Sequence, residues 1–424
     1  MALNRGILHG MHDKELYGKI LGIQRPWKVV KVDIDTKDRV VEVYLERGKK
    51  PPLECPDCGQ ACSGYDSLLR RWRHLDTCQY HTILVAEVPR CDCPKHGVKQ
   101  TKVPWAEPGS RFTALFEALV IDWLQESTIT AAARLLELSW DEANTIMQRA
   151  VKRGLARREL YMPTKIGVDE TSFQKRHQYV TVVSDLVEGT VEYVADDHRQ
   201  ESLDGYYEQF EPEELEQLET VAMDMWPAYI NSTKQHVPDA RKKIAFDKFH
   251  VAKHLSDGVD KVRRQEHTAL QKKGDDRLAK TKYLWLKNPS QMDFMCWLSF
   301  AHLRDSALET AKAWAIKELA MSLWGYVRRG WAEKAWKRWL SWAYRCSLEP
   351  MARVARMVGR HLDGILNAVV KKVSNAGAEG LNSKIQLIKK NARGFRNRER
   401  FKNAIYFYCG GLALYPDSLY LAEG

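Results

Sequence analysis

The chain has 424 residues, two to four times the ~100–200 of a typical domain, so several domains are expected. Lysine and arginine outnumber aspartate and glutamate by 66 to 55, a formal net charge of +11, which favours a polyanionic partner, nucleic acid first. With 44% hydrophobic residues and no apolar run near the ~20 of a membrane-spanning helix, the composition excludes a disordered chain and argues for a soluble one. The opening MALNRGILHGMHDKELYGK carries no unbroken apolar segment, so a reducing cytoplasm is expected, in which clustered cysteines bind metal rather than pair.

In chain order, residues 1–50 contain VVKVDIDTKDRVVEVYL (Val29 to Leu45), which alternates apolar and polar residues around a Thr-Lys-Asp turn and predicts a β-hairpin. Residues 51–108 hold six of the nine cysteines. There, Cys55-Pro-Asp-Cys58-Gly and Cys93-Pro-Lys-His96-Gly form two knuckle-like turns, each with two residues between ligands and a glycine after. Two such turns supply the four N or S donors of one structural Zn²⁺, with Cys91 an alternative donor to Cys93 or His96. Catalytic zinc is disfavoured, since no glutamate-bearing motif accompanies the ligands.

Residues 109–160 read as all-α. A short helix ending near Leu136, a turn at Glu137 to Ser139 and a longer helix from Trp140 to about Arg153 have helix-turn-helix spacing. In the second helix, Asn144 and Gln148 lie four apart on what is expected to be an exposed face suited to base edges, with Lys152 and Arg153 placed for phosphates.

Residues 161–254 change to β patterning: KIGVDET, YVTVVSDL and TVEYVAD predict a meander, the acidic ESLDGYYEQFEPEELEQLE a helix, and TVAMDMW and KIAFDKF two further strands ending in Asp. Residues 255–370 are helical, basic and rich in tryptophan, which we expect to be mainly core. Residues 371–424 begin with small residues and continue as a basic helix and a second helix.

Three acids stand out by position. Asp169 ends the run Ile166-Gly-Val-Asp, Asp224 ends Val221-Ala-Met-Asp, and Glu379 opens the basic helix. Carboxylates at strand ends, joined by one from a helix, can converge on hard divalent cations, two Mg²⁺ (or Mn²⁺) in phosphodiester chemistry. Asp247 and His250 in AFDKFH lie close to the same edge as possible accessory residues, or simply cap the following helix. His177 and Arg199 are weaker DNA-contact candidates. Lys384, Lys389, Lys390, Arg393, Arg396, Arg398 and Arg400 form a basic run suited to phosphates beside Glu379.

The strings IGVDETSFQKRHQYVTVVSDL, VAMDMWPAYI, AFDKFHVAKHL and SNAGAEGLNSKIQLIKKNARGFRNRERF resemble the transposases of bacterial insertion sequences of the ISL-three family. CPDCG, YDSLLRRWRHLD, VPRCDCPKHG and VPWAEPGSRFT resemble the same family's zinc-binding and helix-turn-helix leader. The resemblance implies a multidomain α/β protein: an RNase H-like mixed-sheet catalytic core with an all-α insertion, preceded by a zinc-binding β module and a helix-turn-helix domain. It implies Asp169, Asp224 and Glu379 as a DDE triad, and double-stranded DNA as partner, both terminal inverted repeats and target. A homodimer on DNA is expected because two transposon ends must be held, in a bacterial cytoplasm near the nucleoid. The rivals are a sequence-specific regulator with an inactive core and an RNase H-like nuclease that cuts without joining.

Overall fold

The computed structural model describes residues 13–49, 51–174, 178–287, 291–306, 308–372 and 376–417, with the side chains of residues 174 and 376–379 outside that description. His177 lies outside the described residues. The chain divides into two compact units, Met1–Arg158 with Leu412–Gly424, and Glu159–Gly411. No helix among the described residues is long and apolar enough to cross a membrane.

After a short helix, Asp13–Ile20, the first unit forms the expected hairpin, β1 (Trp27–Asp35) and β2 (Val40–Arg47), antiparallel with Asp35 opposite Val40. Asp35 holds the turn by accepting from the N–H groups of Lys37 and Asp38. Then come β3 (Leu53–Glu54), β4 (Ala61–Arg73), β5 (His81–Cys93) and β6 (Gly97–Gln100). The hairpin does not stand apart from the cysteine-bearing strands: β2 pairs in parallel with β5, giving one six-stranded sheet in the order β1-β2-β5-β4-β3 with β6 on β5. Its core is pinned by Trp105, edge-on to Trp27 at 4.9 Å and to Trp72 at 5.4 Å.

Three helices follow, Ala114–Glu126, Ile129–Leu135 and Trp140–Arg157. Each starts on a hydroxyl cap, Thr113, Thr128 or Ser139, and Ser139 with Glu142 closes a capping box. The turn between the last two falls where the sequence places it, and the second helix runs four residues further than expected because nothing in VKRGLAR stops it before Arg158.

In the second unit, β7 (Lys165–Gln174), β8 (Gln178–Asp185) and β9 (Thr190–Ala195) form the antiparallel meander. β10 (Thr220–Met223) and β11 (Ile244–Phe246) add in parallel to β7, giving the order β11-β10-β7-β8-β9 of an RNase H-like sheet. The acidic segment expected as one helix is two, Gln200–Tyr207 and Pro212–Glu216, broken where Pro212 starts a new first turn. Apolar residues of alternate parity cover both faces of the sheet. Ile166, Val168, Val221 and Met223 pack with Tyr206, Tyr207 and Tyr229 on one side, while Val180, Val182 and Val191 meet Leu381, Ile385, Phe401 and Ile405 on the other. The second group comes from helices Ala376–Asn391 and Arg398–Cys409.

The tryptophan-rich stretch is helical and begins earlier than residue 255: helix Lys248–Gln271 leaves β11 directly, capped by Asp247, so residue 254 falls inside it. Trp285, Trp336 and Trp339 are fully buried in an apolar cluster continuous with the sheet, whereas Trp331 is exposed. Helix Leu362–Lys371 returns to β11, where Asn367 Nδ2 donates to the carbonyls of Arg241 and Ile244. Gly364 makes this approach possible, since a Cβ there would lie 2.4 Å from the Phe246 ring. Glycine to alanine in an exposed helix stabilises by about 1 kcal/mol, but overpacking costs about 1–3 kcal/mol and decides the sign here. Gly364→Ala is therefore expected to lower the urea unfolding midpoint; a raised midpoint would contradict this packing.

Candidate functional site

In the N-terminal unit, the donor atoms of Cys55, Cys58, Cys93 and His96 all lie within 4.8 Å of one another. Cys58 Sγ is 3.8 Å from Cys93 Sγ, and His96 Nδ1 is 3.5 Å from Cys55 Sγ and 3.6 Å from Cys93 Sγ. A zinc tetrahedron with Zn–S of ~2.3 Å and Zn–N of ~2.0–2.1 Å has edges of about 3.8 Å between sulfurs and about 3.5 Å between sulfur and nitrogen. The four residues thus form a Cys₃His cluster of zinc dimensions. Gly59 and Gly97, directly after each pair, have φ of 71° and 66°, which is why glycine ends both knuckles. Burial pushes the Cys93 thiol up, but the N–H groups of Lys95 and His96 together with hydrogen bonds to Cys55 and Cys58 bring it down to about 7; Cys55, also raised by burial, is lowered by the N–H groups of Asp57 and Cys58 and by His96. Cys91 stands outside the set, its thiol directed to the Glu54 carbonyl at 3.7 Å.

Helix Trp140–Arg157 corrects two expectations. Asn144 is buried, not on an exposed face with Gln148, because it belongs to the row Asn144, Met147, Val151, Gly154 that faces the other two helices. Gln148 is half-buried and lies with exposed Asp141, Thr145 and Lys152 on the outward row. Arg153 is committed elsewhere. Its guanidinium is 2.7 Å from Glu107 and 3.0 Å from Glu117, whose carboxylate is only 1% exposed and needs a cation beside it. A phosphate role for Arg153 is thereby replaced by a structural one, whereas Lys152 stays exposed.

In the second unit, the pairing aligns Val168 with Met223 and Met223 with Phe246, so Asp169, Asp224 and Asp247 follow together as the next row across three strands. Asp224 and Asp247 come directly after their strands. Asp169 does not end its strand as expected: β7 continues to Gln174, paired to β8, and the edge exists because β10 and β11 stop. These three acids line one narrow cleft together with His250, Leu381 and Asn382.

Hydrogen bonds orient every carboxylate in the row. Asp169 Oδ1 accepts from Glu170 N at 2.7 Å, and Oδ2 accepts from Asn382 Nδ2. Asp224 Oδ1 accepts from Met225 N at 2.6 Å, and Oδ2 lies 3.3 Å from His250 Nδ1. Asp247 Oδ1 caps Phe249 N at 2.8 Å, so the capping reading of this residue holds, while Oδ2 stays 3.9 Å from His250 Nε2. Burial raises the proton affinity of Asp169, the Glu170 N–H, His250 and Asn382 oppose the rise, and the Asp224 charge adds to it. Glu170 is raised by burial too, against the opposing pull of His198 at 3.9 Å. Residue 379 lies in helix Ala376–Asn391, one turn before Asn382; the Glu379 side chain falls outside the described residues.

Asn382 escaped the sequence reading, although its spacing of three from Glu379 on one helix was the available signal. Trp226, whose indole donates to the His198 carbonyl at 3.0 Å, gave no such signal. Of the basic run, Lys384, Lys390, Arg393 and Arg396 are exposed. Lys389 is not free to line a groove: its ammonium donates to Ser172 O at 2.6 Å and Oγ at 2.8 Å, tying the helix to β7. Arg398 stacks over Phe173, and Arg199 pairs with Asp197.

A zinc ribbon, a helix-turn-helix and an acid-edged mixed sheet, in that order, are the plan of an insertion-sequence transposase. Residues 166–405 match a transposase family model of the ISL3 group, residues 101–151 the helix-turn-helix domain of transposase family ISL3, and residues 51–96 the zinc-finger of transposase IS204/IS1001/IS1096/IS1165. The chain belongs to the ISL3 family of transposases. It is 26% identical over 368 residues to the transposase for insertion sequence element IS1001 of Bordetella parapertussis, covering 86% of this chain and 90% of that protein. It is also 26% identical over 418 residues to the transposase for IS1557 of Mycobacterium tuberculosis, covering 91% and 93%.

The cluster geometry separates ligands from bystanders. Cys58→Ser is expected to lose about one zinc per chain in metal analysis of the purified protein, and Cys91→Ser to keep it. Equal zinc content in the two variants would contradict the Cys₃His set.

Proposed function

We propose that this transposase binds the terminal inverted repeats of its own insertion sequence through the zinc ribbon and helix-turn-helix, then cuts and joins DNA strands at the acid row. The observation that carries the reading is the register that brings Asp169 and Asp224 side by side, with Asn382 bonded to Asp169 one turn after residue 379. Asp169, Asp224 and Glu379 are the proposed holders of Mg²⁺ or Mn²⁺, two per site, and one Zn²⁺ holds the ribbon.

The residues present fit hard divalent cations. Asp169, Asp224 and Asp247 share a cleft in which burial, against the partial compensation of His250, holds the Asp169 carboxyl above its ordinary proton affinity. Held by Asp169, Asp224 and Glu379, such cations would supply acidification of the attacking water or 3′-hydroxyl and stabilisation of the charge on the leaving oxygen. The protein's own part is orientation. The Glu170 N–H and Asn382 amide fix the two oxygens of Asp169, and Met225 N–H with His250 does the same for Asp224. His250, between Asp224 and Asp247, is a positioning residue. Exposed Lys152, Lys384, Lys390, Arg393 and Arg396 supply phosphate contacts along the DNA, with Gln148 at the groove. Two copies acting on two transposon ends, followed by target DNA, complete the proposed assembly.

Asp224→Asn is expected to lower cleavage and joining of a terminal-repeat duplex about 10³-fold or more while leaving its gel retardation within about twofold of wild type. Cleavage at the wild-type rate by the folded variant would overturn the assignment. Loss of binding in step with cleavage would make Asp224 structural.

A further inference from the structure

Beside the acid row lies a second cavity of ≈ 390 Å³, which shares Ala222 and Asp247 with the cleft. Strand alternation puts Ala222 and Ala245 on the same sheet face as Asp224 and Asp247, two residues further on. Leu381 and Asn382 line the neighbouring cleft with Asp169 and Val182, whereas β10 and β11 give the second cavity Ala222 and Ala245 as its floor, with Phe246 at its edge. Ala368, from helix Leu362–Lys371, extends the small-residue floor.

The wall comes from the all-α insertion. A short 3₁₀ turn, Leu323–Gly325, presents Trp324, and Tyr326 follows it. Trp324 rests edge-on against the fully buried Trp336 at 5.9 Å and is therefore a rigid surface. Lys248 and Lys372, both exposed, stand at the rim. An alanine floor, an aromatic wall and two ammonium groups match a flat aromatic ligand bearing phosphates. The volume lies in the ~300–1,000 Å³ range of small-ligand sites and is ample for one nucleoside.

We propose that this cavity receives one nucleotide extruded from the DNA beside the cleaved phosphodiester, its base stacked on the aromatic wall and its flanking phosphates on Lys248 and Lys372. The inference rests on reading the acid row as the cleavage site. A base inside a duplex cannot reach a walled hollow without leaving the stack, and an aromatic face accepts any base that does. The acid cleft itself is narrow, ≈ 20 Å³, so unstacking next to the scissile bond also lets the backbone bend into it.

The probe is a terminal-repeat duplex carrying 2-aminopurine singly at each position flanking the cut, bound by wild-type protein with divalent metal withheld. One position is expected to brighten several-fold. Tyr326→Ala should abolish the brightening and slow cleavage of the intact duplex about tenfold, Tyr326→Phe should retain both, and Trp331→Ala, on an exposed tryptophan that is not part of the cavity lining, should be unchanged. An abasic site at the brightened position, which removes the stacking to be broken, should bring Tyr326→Ala back to within about twofold of wild type. If no position brightens although the duplex is cut normally, or if Tyr326→Ala slows intact and abasic duplexes equally, the cavity has no such role. If wild-type protein cuts no terminal-repeat duplex at all, the acid-row reading itself fails and takes this proposal with it.

Discussion

The catalytic unit depends on one hydrogen-bond register. β10 pairs with β7, and β11 with β10, so that Val168, Met223 and Phe246 share a row and Asp169, Asp224 and Asp247 the next. A slip of one residue would turn an aspartate into the core that now receives Met223, and bring a methionine into the cleft. The register is held on one face by Tyr206, Tyr207 and Tyr229, which pack with Val221 and Met223, while on the other face Leu381, Ile385 and Phe401 cover the meander strands β8 and β9. It also sets where the insertion begins, since Asp247 both completes the row and caps the helix that leads into it.

The two units treat buried carboxylates in opposite ways. Glu117, 1% exposed, is neutralised by Arg149 at 3.3 Å and Arg153 at 3.0 Å, so the three-helix domain carries its own cations. Among the described residues the acid row has no arginine or lysine paired to it; its carboxylates are met by His250, the Asn382 amide and the N–H groups of Glu170 and Met225. The Asp169 carboxyl is held above the ordinary carboxylate range, chiefly by burial. A group whose folded pKa is raised this way favours the folded state most when protonated, so its contribution to stability falls as pH rises through the raised value. On the proposed reading, divalent cations supply what the protein leaves out. The ribbon is a third solution, in which backbone N–H groups of each knuckle favour the thiolates of Cys55 and Cys93.

Much of this was legible in the sequence because local chemistry dictates it. Glycines at 59 and 97 must follow the knuckles since the chain there adopts positive φ, and alternation around Thr-Lys-Asp admits little besides a hairpin. What escaped depends on partners distant in the chain. Helical period alone cannot tell that Asn144 faces inward, or that Arg153 answers Glu107 and Glu117. Lys389 looked like one more basic residue until Ser172 was placed beneath it. Asp169 appeared to end a strand because the apolar run ends there, whereas Glu170, Thr171, Ser172 and Gln174 remain paired to β8, with Phe173 at a bulge between them. The joining of the hairpin to the ribbon through the parallel β2–β5 pair has no local signature at all.

The central claim is that the aligned aspartates form a divalent-metal site, and titration with Mn²⁺, followed by the spectroscopic signal of the free ion, tests it most directly. The account predicts saturable binding by the zinc-loaded wild-type protein, weakened about tenfold or more by Asp169→Asn and by Asp224→Asn separately, with the ribbon zinc retained in both. Wild-type Mn²⁺ affinity in both folded variants would contradict it.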